Sequence, residues 1–183
     1  MIEVTIFEAT NDDPIKIVSF RNTKGFIIRE SFYNPKNELV FEEMNEYCEK
    51  MKISRNVLFF SNDHKAIAYR NLYQNIENER VDKRSGYTDY KLKNGVFEKV
   101  SFAIYEYDEN QVCKKCKIYD ENDELYYSIL FNDDQISYMA KNGETVADSY
   151  QFHEDVISKL ETYESIKERL LDEAREKFRK DKS

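Results

Sequence analysis

Tryptophan is absent, and the 183 residues hold only 4 Gly, 2 Pro, 3 Cys and 2 His. So little glycine leaves scant material for phosphate-cradling loops, and neither G-x-x-x-x-G-K-[ST] nor G-x-G-x-x-G occurs. This argues against the nucleotide-binding folds built on those two motifs. Long apolar runs are also missing. The longest, such as Val57-Leu58-Phe59-Phe60 and Ile129-Leu130-Phe131, fall far below the ~20 residues of a membrane helix, which predicts no membrane association. Met1-Ile2-Glu3-Val4-Thr5 lacks the basic-then-apolar pattern of a secretory leader. Three cysteines, Cys48, Cys113 and Cys116, make no disulfide framework, so the expected compartment is a reducing cytoplasm.

What is present is aromatic and acidic. There are 14 Tyr and 12 Phe, enough to predict a packed core although 35% of residues are charged. The formal net charge is −8. Residues 1–98 carry 15 cations and 16 anions, residues 151–183 carry 8 and 9, and residues 99–150 carry 5 and 11. The segment 99–150 therefore holds −6 of the −8, which disfavours direct nucleic-acid binding there and favours a basic partner.

Turn signals punctuate short alternating segments. Residues 2–8, 15–20 and 26–32 read as strands, as do 55–60, 66–73, 87–93 and 96–107. Asn94-Gly95 predicts a two-residue hairpin turn because both positions tolerate positive φ. The polar stretch 74–86 reads as a loop. Val40, Met44, Tyr47, Cys48 and Met51 fall on one helical face, predicting an inserted helix near 37–51. From Val156 to Phe178 apolar residues recur every three or four positions. This predicts a long C-terminal amphipathic helix over roughly 152–180, ~42 Å at 1.5 Å per residue, whose end projects or packs on a partner.

A twelve-residue rhythm stands between these segments. Tyr107-Asp108-Glu109-Asn110, Tyr119-Asp120-Glu121-Asn122 and Phe131-Asn132-Asp133-Asp134 each place an aromatic before turn formers, which predicts a β-meander. The Tyr-Asp turns resemble the YD repeats of large bacterial toxin shells in hairpin chemistry. Where those repeats carry Gly two or three residues after the aspartate position, Glu109, Asn110, Glu121 and Asn122 stand here. The expected fold is thus one α+β domain over 1–183. Residues 1–150 form an antiparallel, meander-rich sheet of roughly eight to eleven strands, and 151–183 the terminal helix.

Chemical motifs are few. Cys113-Lys114-Lys115-Cys116 has metal-site spacing, but strand geometry sends i and i+3 side chains to opposite faces, and a second ligand pair is missing. The expectation is one buried thiol, one thiol on the polar face, and no metal or cofactor. His64 beside Asp63, and His153, sit in no recognisable catalytic setting. Asp120, Glu121, Asp123 and Glu124 lack the glycine of a calcium-hand loop. Tyr127 is expected with Leu125, Ile129 and Phe131 on the core face, and Tyr126 on the other.

These residues predict a non-enzymatic protein-binding surface made of Tyr107, Asp108, Glu109, Tyr119, Asp120, Glu121, Asp123, Glu124, Tyr126, Asp133 and Asp134. The partner is a basic protein, such as a toxin or a nucleic-acid-processing protein. The functional class is an inhibitor of toxin-immunity or phage counter-defence type. The alternatives are a carboxylate-dependent enzyme, or a structural module that self-associates through its C-terminal helix.

Overall fold

A computed structural model describes residues 2–10, 15–47, 53–60, 65–74, 84–132, 135–147 and 150–181. Its strands are β1 (Glu3–Phe7), β2 (Lys16–Arg21), β3 (Ile27–Tyr33), β4 (Leu39–Tyr47), β5 (Ile53–Phe60), β6 (Ala66–Gln74), β7 (Arg84–Lys93), β8 (Val96–Tyr107), β9 (Cys113–Asp120), β10 (Leu125–Asn132), β11 (Gln135–Ala140) and β12 (Thr145–Ala147). Two helices follow, α1 (Tyr150–Asp155) and α2 (Tyr163–Asp181), with a 3₁₀ turn at Ile157–Lys159 between them. The strands lie in sheet order from β1 to β12, a twelve-stranded meander. The fold is therefore α+β, dominated by an open antiparallel sheet.

One turn chemistry makes five of the six reversals among the described residues. Among the described residues, five reversals share two backbone hydrogen bonds. In the first, Asn22 N–H donates to Phe26 O and Gly25 N–H to Asn22 O, both at 2.9 Å. The same pair recurs at 34–38, 108–112, 120–124 and 140–144. The fourth residue of each is left-handed: Gly25, Asn37, Gln111, Asp123 and Gly143, with φ from 57° to 85°. This is the three-residue hairpin loop that ends in a bulge, the form that matches the natural twist of the strands. In four of the five an Asn or Asp at the first position (Asn22, Asn34, Asp108 and Asp120) reinforces it; the fifth begins at Ala140. The Asn34 side-chain oxygen accepts from Lys36 N–H at 2.9 Å and Glu38 N–H at 3.0 Å. Asn94 and Gly95, both at positive φ, form the predicted two-residue turn between β7 and β8.

Contacts group the chain into two compact units, residues 1–69 with 166–183, and residues 70–165. In the first, cross-strand partners share a face, so Ile17, Phe32 and Phe41 form a row beside Glu30, Glu43 and Leu58. The Phe32 and Phe41 rings stack at 4.3 Å, and Phe41 and Leu58 are fully buried. Helix α2 lies on this face: Lys167 pairs with Glu43 and sits over the Phe32 ring, while Ile166, Leu170, Leu171 and Ala174 are buried. The opposite face carries Val4, Phe20, Arg29 and Met44 in one row, with the Arg29 guanidinium 3.9 Å from the Phe20 ring centre.

In the second unit, Tyr87, Ala103, Ile118, Tyr127 and Ala140 form one row of the core face. Tyr105, Cys116, Ile129 and Tyr138 form the next. Phe152 of α1 and Leu160 cover them, with the Phe152 ring 5.3 Å from Tyr138 and 6.3 Å from Tyr127.

Three expectations are corrected. Residues 39–47 form strand β4 and not a helix; residues 48–52 lie outside the described ones. The helical spacing of Val40, Met44 and Tyr47 passes over Phe41, the fully buried residue of the segment. It also misses that Glu43 is buried because Lys167, 124 residues away, neutralises it. The long C-terminal helix is broken. Leu160 is extended (φ −82°, ψ 125°), and α2 has 19 residues, about 28 Å. The predicted loop 74–86 is strand at both ends, since β6 runs to Gln74 and β7 begins at Arg84; 75–83 lie outside the described residues.

Candidate functional site

The meander runs antiparallel, so its turns alternate between the two ends of the strands. Tyr107, Asp108 and Glu109 stand at one end of β8 and β9, and Tyr119 to Glu124 at the other. Eight residues of β9 separate the two groups by about 26 Å. The acidic residues expected on one surface therefore form two groups. Asp133 and Asp134 lie outside the described residues; Asn132 and Gln135, which flank them, are cross-strand partners.

Four of the six described carboxylates already have work within the fold. Asp108 accepts from Val112 N–H at 2.8 Å and lies 3.8 Å from Lys114 Nζ. Asp120 accepts from Asn122 N–H at 2.9 Å and Glu124 N–H at 3.0 Å. Asp123 supplies the left-handed backbone position and pairs with Lys99. Glu124 pairs with Lys141, and this hydrogen bond and charge raise the Lys141 pKa. Glu109 and Glu121 are different. Both are exposed on turn tips, and neither has an ion-pair partner among the described residues.

The tyrosines are more enclosed than expected. Tyr119 stacks on its cross-strand partner Phe102 at 4.5 Å, the two rings almost parallel. Tyr107 is half-buried. Tyr127 is on the core face as predicted. Tyr126 also packs against that core instead of occupying the opposite face, its ring 6.3 Å from that of Tyr127. A bulge between Leu125 and Tyr127 is the reason, because an extra residue breaks strict alternation. Cys116 joins the core, and burial pushes its thiol up to about 12. Cys113 is half-buried and also raised by burial, and both thiols are free.

A buried polar knot in the second unit had no signal in the local sequence. Asp89 is fully buried. It accepts two hydrogen bonds from the Arg70 guanidinium, at 2.7 and 2.9 Å, one from Ser101 Oγ at 3.2 Å, and one from Tyr163 N–H at 2.9 Å. The Arg70 plane lies 4.0 Å from the Tyr87 ring centre, and Arg70 also reaches Glu164 at 2.9 Å. Burial works to lower the Arg70 pKa, but the hydrogen bonds and charge of Asp89 more than reverse this. The knot fixes the first residue of α2. Thr162 and Ser165 complete the helix start by exchanging reciprocal backbone-to-hydroxyl bonds at 2.8 and 3.0 Å. Both carboxylate oxygens of Asp89 accept hydrogen bonds from protein donors, so the knot ties β6, β7, β8 and the start of α2 together.

No family model matches this chain, and no curated protein matches it. Among solved structures, a porin-like protein from Bacteroides uniformis is 13% identical with a TM-score of 0.42; the match covers 81% of this chain and 59% of that one. A chain of the GtfA/B complex is 10% identical with a TM-score of 0.19, covering 80% of this chain and 20% of that one. The present chain thus spans less than two thirds of the first and about a fifth of the second. Among the described residues no helix is long and apolar enough to cross a membrane.

Proposed function

We propose that this chain is a non-enzymatic, cytoplasmic protein-binding protein of inhibitor type, in the manner of toxin-immunity or phage counter-defence proteins, and that it engages a basic partner through its acidic turns. One observation carries this: the 120–124 turn presents Glu121 on a preorganised tip. Asp120 ties down the turn backbone, and Asp123 closes its bulge. A charge held in place before encounter steers association without an ordering cost. Glu109 offers the same at the other end of the strands.

The alternatives have less support. The buried carboxylates are held by protein donors: Glu42 by Ser31, Glu43 by Lys167, Asp89 by Arg70. This favours binding over carboxylate catalysis. Helix α2 buries Ile166, Leu170, Leu171 and Ala174 within its own chain, which leaves less apolar stripe for self-association through it.

The test is capture from host lysate with wild type and with a Glu109→Lys/Glu121→Lys variant, which leaves the turn-forming aspartates in place. A basic protein held by wild type at low salt, and held several-fold less by the variant, is the expected result. Equal retention by both removes the acidic tips from the interface.

A further inference from the structure

Strand β1 is the first strand of the sheet, and among the described residues it pairs only with β2. No described strand pairs with its outer edge, whose backbone donors and acceptors are complementary to another extended strand. Natural edges are blunted by shortness, proline, lysine or a bulge. The other terminal strand, β12, has three residues. By contrast, β1 (Glu-Val-Thr-Ile-Phe) has five residues, no proline or lysine, and an unbroken register with β2. Val4, Ile6 and Phe7 are about half exposed, at 49, 51 and 54%.

We propose that β1 pairs antiparallel with β1 of a second copy of this chain, about a two-fold axis at Thr5. In that register Val4 faces the other copy's Ile6, and the Val4–Phe20 and Ile6–Val18 rows continue into the second sheet. Glu3, which is opposite Arg21 on its own chain, meets the other copy's Phe7, and Glu8 meets the other copy's Ile2. No like charges face each other. The two-fold closes the assembly as a dimer, whereas pairing β1 with another edge would propagate into a filament.

Cysteine pairing tests the register in the full-length chain. Thr5 meets Thr5 on the axis, where either kind of antiparallel pair holds the Cα atoms at ~4.5–5.5 Å, within disulfide reach. The two copies of Glu3 stand about 14 Å apart. Under mild oxidant Thr5→Cys is expected to give a linked dimer, and Glu3→Cys no more than the wild-type background from its native thiols. Light scattering on the wild type should show mass rising with concentration. A Val4→Lys/Ile6→Lys variant, changed only at exposed positions and checked for folding by circular dichroism, should stay monomeric. A wild type that is monomeric at every concentration overturns the proposal. So does equal cross-linking of Thr5→Cys and Glu3→Cys, or a dimer in which Thr5→Cys stays unlinked.

Discussion

Single residues decide whether the hairpins close. Asp120 holds two backbone N–H groups of its turn, so its main role is in the turn. Asp120→Ala is expected to destabilise the protein by about 1–2 kcal/mol, because both local bonds are lost to water. Asp120→Asn keeps the acceptor and should stay near wild type in urea unfolding. Equal loss in both would make the charge the important property. Gln111 offers the reverse case. It sits at φ 69° with a buried Oε1 that has no hydrogen-bond partner among the described residues. The left-handed conformation costs an L-residue about 1–2 kcal/mol, and glycine adds ~0.5–1 kcal/mol of backbone entropy. Gln111→Gly should therefore be neutral to stabilising, while Gln111→Val should lower the urea midpoint. A lower midpoint for the glycine variant would show that this side chain contributes more than its strain.

At the scale of elements, helix α2 depends on a carboxylate from β7. Asp89 binds Arg70 and the Tyr163 N–H at once, so losing it uncaps the helix and leaves a largely buried guanidinium, 12% exposed, without its main partner. Asp89→Ala is expected to cost about 3–5 kcal/mol, the range for breaking a buried ion pair. Hydrogen exchange should be most accelerated in the first turn of α2. An Asp89→Leu/Arg70→Met double change should recover much of that loss; if it is no better than Asp89→Ala alone, the pair itself contributes net stability. The same elements show what the sequence can reveal. The Asn-Gly turn and the Tyr-Asp turns were legible because turn chemistry is local. Strand β4 was not, since its buried Glu43 makes sense only beside Lys167. The break before α2 was also missed, because Asp89 lies 74 residues from the N–H it caps.

For the whole molecule, the buried acids define an alkaline limit. Burial pushes Cys116 from its ordinary 9.0 up to about 12, and raises Tyr87 and Tyr127 above their ordinary 10.0. Between those limits the unfolded chain loses protons that the folded chain keeps, so unfolding stability falls as pH rises. This contribution is complete below about pH 9 and is lost progressively toward pH 12 and above. Thermal midpoints should therefore decline steadily above pH 9. Tyr127→Phe, which removes one titrating hydroxyl from the core, should make the decline shallower; an unchanged slope would assign it to other groups.

By itself the sequence determined the antiparallel meander, the acidic turns, the core placement of Tyr127 and the burial of one thiol of the Cys113/Cys116 pair. All of these follow from period-two alternation and local turn hydrogen bonds. Tertiary structure alone decided that Asp123 and Glu124 are paired with Lys99 and Lys141 while Glu109 and Glu121 have no ion-pair partner among the described residues, and that β4 is a strand. Those outcomes depend on cross-strand register and on charge partners far away in the chain, neither of which any window of neighbouring residues contains.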